Sequence, residues 1–184
     1  MPKNRDIEAR LERVEQQLRL FQRVSRLMTR DLALEGVLHE IVALIRDFLE
    51  CDSCLIYLVE ETELVLSAST DATRSRVGKL RLRMSEGLTG WVARERRLVA
   101  ISRESYNDPR FKFFKELPQD MFEAFLSVPI ISQNKVVGVI NVQHRDARIH
   151  SGADMEMLST LGEQVGCLLV LSRQKSGVVA PAAV

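Results

Sequence analysis

The sequence predicts an α+β protein built on an antiparallel sheet. Two pairs of apolar, strand-like segments are each joined by a short polar turn: 53–60 with 63–70, and 125–131 with 136–144. Strands joined by turns this short pair antiparallel, because a parallel pair needs a crossover of a dozen or more residues. Amphipathic helical patterns precede the first pair and follow the second, which argues against a doubly wound parallel sheet.

Composition limits the classes of function. The chain has 184 residues and a formal net charge of +1, so charge gives no reason to expect binding to nucleic acid or to an anionic membrane. No apolar run approaches the ~20 residues of a membrane-spanning helix, and the first residues are too polar for a secretory signal. The three cysteines are Cys51, Cys54 and Cys167, an odd number that forms no disulfide framework. We therefore expect a cytoplasmic protein.

Residues 1–33 carry the heptad pattern of a coiled-coil helix. The d positions are Ile7, Val14, Phe21 and Met28, and the a positions are Leu11, Leu18, Ser25 and Leu32. In a parallel pair of such helices, Arg10 would face Glu15 of the other helix. We expect homodimerisation through Ile7, Leu11, Val14, Leu18 and Phe21. The alternative is a helix that folds back on its own domain.

Residues 34–175 are predicted to form the main domain. The domain opens with a helix that starts at Leu34 and is capped by Asp31. This helix has a wide apolar face that suits packing on a sheet. The domain closes with a helix that begins at the capping box Ser151-x-x-Asp154. Residues 176–184 are predicted to be a disordered tail.

Between the two strand pairs the pattern is less regular. The predicted segments are a strand at 80–83, a small helix at 88–96, a strand at 98–101 and a long polar loop at 102–120. Loops of this length are usually functional or partly helical. Pro129, inside a strand segment, lacks an amide donor and is expected at a bulge or an unpaired edge.

The sequence gives little indication of a metal site or of a redox-active cysteine pair. His39, His144 and His150 lie on three different predicted elements, whereas a metal site needs three or four converging ligands. Cys51 and Cys54 have the spacing of a zinc or redox pair, but the chain has no second pair. We therefore expect no metal site and no catalytic cysteine.

Aromatic and polar side chains are concentrated in the small helix and the long loop. They are Trp91, Tyr106, Asn107, Asp108, Phe111, Phe113 and Phe114. Because the two long helices of the domain can cover only one face of the sheet, an aromatic-lined loop over the other face would enclose a ligand cavity. The alternative is that these side chains fill the interior and leave no cavity.

Four motifs together resemble a GAF domain over about residues 34–173. They are EGLTGWV at 86–92, YNDPRF at 106–111, FLSVPI at 125–130 and VGVINV at 137–142. Within that family the chain is most similar to the sensory domain at the N-terminus of the nitrogen-related enzyme I of the phosphoenolpyruvate phosphotransferase system.

The resemblance implies a six-stranded antiparallel sheet with the terminal helices on one face and a ligand pocket on the other. It also implies a regulatory role, in which the bound state is relayed through the terminal helices of a dimer. Phosphotransfer domains follow the GAF domain in the nitrogen-related enzyme, so the resemblance carries no phosphotransferase activity to this chain.

Known GAF ligands do not match this sequence. Cyclic-nucleotide-binding relatives carry an Asn-Lys, Phe, Asp-Glu pattern, whereas Asn107 is followed here by Asp108 and no Asp-Glu pair follows Phe111. The loop at 102–120 has no cysteine to attach a bilin. Relatives that reduce free methionine sulfoxide use pocket cysteines, and the cysteines of this chain lie elsewhere. The cofactor stays unknown, and we expect a protein that is not an enzyme.

The candidate ligand-binding residues are Gly87, Trp91, Tyr106, Asn107, Asp108, Phe111 and Phe125. We expect the aromatic side chains to form the walls and floor of the pocket, and the amide and carboxylate to make polar contacts with the ligand. Backbone amides near the glycine, at a helix start, are expected to bind an anionic group. The sequence favours a small-molecule sensor over a ligand-free dimerisation scaffold, and a sulfoxide reductase comes third.

Overall fold

The computed structural model describes residues 2–70, 72–112 and 122–175. Its helices and strands are, in chain order, α1 (Pro2–Met28), α2 (Leu34–Leu49), β1 (Ser53–Glu60), β2 (Glu63–Ser69), β3 (Arg81–Arg83), α3 (Gly87–Glu95), β4 (Val99–Ile101), β5 (Ala124–Ser132), β6 (Lys135–His144) and α4 (Gly152–Lys175). Short 3-10 helices span Ala72–Arg76 and Ser105–Asn107. Phe113, Phe114 and the tail at 176–184 lie outside the described residues, so the expectations for them stay predictions.

The strands form one antiparallel sheet in the order β3-β2-β1-β6-β5-β4. β1 and β6 occupy its centre. The hairpin between β5 and β6 turns at Gln133 (φ 47°) and Asn134 (φ 61°). Two left-handed residues give a turn whose twist matches that of the flanking strands. The predicted six-stranded antiparallel sheet of an α+β protein is confirmed.

Pro129 lies where its missing amide donor does little harm. The residue pairs between β5 and β4 end at Ser127 and Val99, so Pro129 is past the β4 edge and pairs only with Val139 of β6. The register of β5 shifts shortly afterwards, between Ile130 and Ile131. The expected position at an unpaired edge beside a bulge is confirmed.

α2 and α4 cover one face of the sheet, here called the helix face, and α1 packs on α2 and α4. Their apolar side chains share one buried cluster with alternate residues of the strands, such as Leu126, Val128 and Ile130 of β5. Side chains of a strand alternate between the two faces, which is why every second residue of β5 enters this cluster. The expectation that the terminal helices lie on one face is confirmed.

The opposite face of the sheet, here called the second face, is covered by α3 and the segments beside it. Its buried cluster contains Leu55, Tyr57, Leu64, Leu66, Leu80, Leu82, Leu88, Val92, Ala93, Val99, Phe125 and Val139. α3 contributes Leu88, Val92 and Ala93, which are spaced to share one side of a helix.

α4 approaches β5 closely because it carries two glycines. A Cβ added at Gly166 would lie 2.6 Å from the carbonyl oxygen of Ile131, and one at Gly162 would lie 3.2 Å from that of Pro129.

At the start of α4, the amide of Asp154 donates to Ser151 Oγ and the amide of Ser151 donates to Asp154 Oδ2, each at 3.1 Å. The predicted capping box is therefore confirmed.

The second half of α1 packs on its own domain. Leu20, Val24 and Leu27 are buried in the helix-face cluster, and Phe21 and Met28 are partly buried against it. This half of the helix therefore behaves as the fold-back alternative describes. Whether residues 1–33 act as a separate dimerisation unit stays a prediction.

The predicted coiled-coil seam, formed by the a and d positions of α1, is exposed in its first half, whereas Phe21 and Met28 of the same seam pack against the domain. Its first four members are between 56% and 63% exposed: Ile7, Leu11, Val14 and Leu18. The helix ends at Met28, so the inclusion of Leu32 in the seam is wrong. The predicted cap at Asp31 is also wrong, because Ala33 is the N-cap residue of α2 and two residues separate Asp31 from the helix.

Among the helices that the structure describes, none combines the length and the apolar character needed to cross a bilayer.

Replacing Gly166 with Ala is expected to lower the free energy of unfolding by about 1–3 kcal/mol, because the new methyl group meets the backbone of β5. Gly36, inside α2, has open space where a methyl group would lie and serves as the control. Gly36→Ala should raise stability by up to about 1 kcal/mol, since alanine favours a helix. Urea unfolding measures both, and equal effects at the two sites would contradict the close approach.

Candidate functional site

One register row of the sheet brings polar side chains to the middle of the second face. Along this row the paired residues are, in spatial order, Val99, Ser127, Asn141, Leu55 and Ser69. Directly paired residues lie on the same face of a sheet, and Val99 and Leu55 belong to the second-face cluster. The polar members of the row therefore face the side of α3, and all of them are buried.

Three of the buried polar groups on this face form a hydrogen-bonded network. Ser127 Oγ donates to Asn141 Oδ1 at 2.7 Å, and Asn141 Nδ2 donates to Thr89 Oγ1 at 2.8 Å. Asn141 is only 2% exposed. Because Thr89 belongs to α3 and the other two residues belong to β5 and β6, the network ties α3 to the centre of the sheet.

The 3-10 helix at Ser105–Asn107 is tied to the start of β5. Tyr106 Oη donates to Glu123 Oε1 at 2.8 Å, and the amide of Glu104 donates to Glu123 Oε2 at 2.9 Å. These hydrogen bonds lower the pKa of Glu123 below its usual value, the bond from the Glu104 amide having the larger effect. Glu123 is therefore an ionised acceptor that holds Tyr106 beside the start of β5.

Arg110 covers the indole ring of Trp91. Its Cζ atom lies 4.5 Å from the ring centroid, a cation–π arrangement. Asp108 holds the guanidinium with both carboxylate oxygens, at 2.8 Å from Nε and 2.7 Å from Nη2. Hydrogen bonding from Arg110 lowers the pKa of Asp108. The charged group over the Trp91 ring is therefore the Arg110 guanidinium. It is oriented by Asp108, whose carboxylate we had expected to contact a ligand directly.

A second ion pair joins the same segment to the start of α3. Lys112 Nζ lies 2.7 Å from Glu86 Oε1, while Glu86 Oε2 accepts from the amide of Arg83 at 3.2 Å. Gly87, the first residue of α3, has φ 66°. The helix start therefore already has a carboxylate beside it, in a position that the helix dipole favours.

The structure brings some of the predicted site residues together and separates others. Phe125 is a buried member of the second-face cluster, and Trp91 and Phe111 pack against this cluster. Tyr106 is half-buried beside the start of β5, and the side chain of Asn107 is exposed to solvent. The assignment of these residues to a ligand stays a prediction.

The family of this fold follows from comparison with known proteins. The family model described as "GAF domain" matches residues 33–169. The chain belongs to the GAF family. The sequence-based expectation of this family is confirmed.

Curated relatives of this GAF domain are phosphotransferase-system proteins. One from Escherichia coli K12, described as "Phosphoenolpyruvate-dependent phosphotransferase system", is 28% identical over 127 residues, which cover 68% of this chain and 17% of the relative. A protein of the same description from Salmonella typhimurium matches equally. The chain thus spans 17% of the length of these relatives.

Solved GAF domains of phosphoenolpyruvate-protein phosphotransferases have the same fold. The one from Acinetobacter is 27% identical with a TM-score of 0.77, covering 88% of this chain and 98% of that chain. The one from Coxiella burnetii is 23% identical with a TM-score of 0.82, covering 89% and 98%. A free methionine-R-sulfoxide reductase from Neisseria meningitidis, solved with its substrate, is 19% identical with a TM-score of 0.68, covering 85% and 89%. The predicted likeness to the phosphotransferase branch is confirmed.

The cysteines of this GAF domain lie away from the second face. Cys51 and Cys54 are buried in the helix-face cluster, and Cys167 is exposed on α4. Burial raises the pKa of the Cys51 thiol to about 12, so it stays protonated. In the described part of the chain, no three His, Cys, Asp or Glu side chains are placed to hold a metal ion.

The sequence reasoning missed four residues of this arrangement: Thr89, Arg110, Ser127 and Asn141. A signal was present for two of them. Ser127 and Asn141 are polar residues inside otherwise apolar strand segments, at positions that alternation assigns to the same face as Phe125 and Val139. No local pattern marks Arg110, because its contact with Trp91 joins two segments that are separate in sequence.

Replacing Asn141 with Val is expected to lower the free energy of unfolding by about 1–3 kcal/mol, because the hydroxyls of Ser127 and Thr89 remain buried without their partner. Adding Ser127→Ala should then cost less than it does in the natural sequence, since one unsatisfied hydroxyl is removed. A double-mutant cycle by urea unfolding measures this coupling, and strictly additive effects would contradict the network.

Proposed function

We propose that this GAF domain is a regulatory sensor that binds a small polar or aromatic molecule on its second face. The observation that carries the proposal is the buried network of Ser127, Asn141 and Thr89. Small-molecule sites are mostly apolar and contain a few placed polar groups that orient the ligand. The second face has this composition, and the similar Neisseria reductase was solved with its substrate.

In this proposal the ligand competes with carboxylates of the protein. Trp91, Phe111 and Phe125 supply apolar walls, and Arg110 supplies a cation at the rim. An anionic group of the ligand would replace Asp108 as the partner of Arg110, or Glu86 as the partner of Lys112. Either exchange would move the segment at 102–112 relative to α3, so that binding changes the position of the loop.

β5 supplies the route from the second face to the helices. Ser127 faces the proposed site, and the backbone at Pro129 and Ile131 contacts α4 at Gly162 and Gly166. A displacement of β5 therefore acts on α4 without an intervening layer of side chains. The displacement of α4 caused by ligand binding would then alter the homodimer formed by the exposed seam of α1.

A ligand-free scaffold is the second candidate function. It is favoured by the many apolar side chains that already fill the second-face cluster. An enzyme of the sulfoxide-reducing kind has less support, because the buried cysteines belong to the opposite face of the sheet and the Cys51 thiol has a raised pKa.

A metabolite panel tests the sensor. Amino acids, 2-oxo acids and nucleotides at ~1 mM are screened by thermal unfolding, where a ligand with a Kd near 10 μM stabilises by about 2.7 kcal/mol. We expect at least one compound to raise the Tm, and Trp91→Leu to abolish the shift. Glu156→Gln, on the exposed side of α4, is the control and should retain it. Identical Tm values across the panel, together with no adduct in native mass spectrometry, would favour the scaffold.

The proposed dimer is tested by two lysine substitutions at similarly exposed leucines. Leu11 is 58% exposed on the α1 seam, and Leu171 is 53% exposed on α4. Leu11→Lys should convert a dimer to a monomer, because it places like charges in an apolar seam. Leu171→Lys should leave the dimer intact. Light scattering coupled to size exclusion measures both, and a natural chain that is monomeric at tens of micromolar would refute the seam.

A further inference from the structure

The helix-face end of the domain has a junction where α1, α2 and α4 meet. Arg13 of α1 donates from Nη2 to Asp154 Oδ1 of α4 at 2.8 Å and from Nη1 to the carbonyl oxygen of Phe48 in α2 at 3.3 Å. Its Cζ atom also lies 3.9 Å from the centroid of the Phe48 ring. One side chain therefore holds α1 against both other helices.

Asp154 uses its two oxygens for two different partners. Oδ1 accepts from Arg13, while Oδ2 accepts from the amide and hydroxyl of Ser151 in the capping box. Burial acts to raise the pKa of Asp154, but the hydrogen bonds from Arg13 and Ser151 outweigh it and keep the pKa below its usual value. The carboxylate is therefore ionised and fully engaged.

Two buried histidines lie in the chain just before α4. His144 and His150, here called the histidine pair, are 4% and 7% exposed, and their ring centroids are 5.2 Å apart. Nε2 of His144 and both ring nitrogens of His150 are buried without a hydrogen-bond partner. A buried polar atom in this state is unfavourable, so the pair needs an explanation beyond packing.

The charged groups around the histidine pair act in opposite directions. Arg148, from the segment between β6 and α4, opposes protonation of both rings; Asp154 favours it for both, and Asp52, beside β1, favours it for His144. Arg13 of α1 is bound to Asp154, and α2 contributes the Phe48 carbonyl. Burial, followed by Arg148 and the neighbouring ring, lowers the pKa of His144 to about 4. Burial also lowers the pKa of His150. Both rings are uncharged at neutral pH.

We propose that the histidine pair is an acid-sensitive device that controls the attachment of α1 to the domain. A proton taken from solvent by His150 creates a buried cation whose favourable counter-charge is Asp154. Asp154 Oδ1 then exchanges Arg13 for the imidazolium, and α1 loses its ion pair with α4. The device is independent of any ligand on the second face.

The direction of the pH effect follows from the number of protons bound. Between the ordinary histidine pKa of 6.5 and the lowered values in the folded state, the attached state binds fewer protons than the released or unfolded chain. Attachment is therefore at full strength above pH 6.5 and weakens as the pH falls below it, to about 4 for His144. One histidine weakens attachment about tenfold per pH unit within this range.

Hydrogen–deuterium exchange of the full chain tests the device. After correction for the intrinsic pH dependence of exchange, amides at 16–26 in α1 should lose protection on the order of tenfold or more between pH 7.5 and pH 5.0. His150→Phe should lose clearly less protection than the natural chain, because the ring shape remains and only His144 of the pair still titrates. In Arg13→Ala, the same α1 amides should show low protection at both pH values.

His39→Phe is the matched control. His39, on α2, also has a buried Nε2 without a partner, so this variant should lose protection at pH 5.0 as the natural chain does. Unchanged protection of α1 in the natural chain, or the same loss in His150→Phe, would overturn the proposal. If His150→Phe does not fold, an NMR titration of His150 in the natural chain tests the proposal instead. A His150 titration midpoint at or above pH 6.5 would refute the device.

Discussion

The antiparallel register of β1 and β6 is the constraint on which the other features depend. In β6, Val139 and Asn141 face α3, whereas Ile140 and Val142 enter the helix-face cluster. A shift by one residue would exchange the two sets, placing Asn141 among apolar helix residues without Ser127 or Thr89. Since a buried amide without partners is unfavourable, the apolar core and the polar network select the same register.

At β5, little material separates the two faces of the sheet. β5 carries Ser127 on one side and contacts Gly162 and Gly166 of α4 on the other. Glycine permits backbone contact between helix and strand, whereas a layer of flexible side chains would absorb a small displacement. Near the start of the same helix, Asp154 holds Arg13 of α1. α4 thus contacts both β5 and α1, and the first half of α1 also carries an exposed apolar seam.

The parts of the fold that sequence reasoning predicted are those set by local patterns. The two hairpins follow from alternation and turn residues, and the capping box follows from the spacing of Ser151 and Asp154. The errors at Asp31 and Leu32 concern the end of one helix and the start of the next, where several neighbouring residues have similar preferences. For the candidate site, the aromatic residues at the second face were predicted, but the partner of each polar group was not.

The sequence by itself determined the family through the resemblance of its four motifs. It also determined the antiparallel sheet and its two faces, because periods of two and of about 3.6 residues specify which side chains are buried together. Only the tertiary structure decided that Asp108 holds Arg110 over Trp91, that Asn141 joins Ser127 to Thr89, and that Arg13 meets Asp154. The residue pairs that connect separate elements depend on how those elements pack, and no local pattern encodes that geometry.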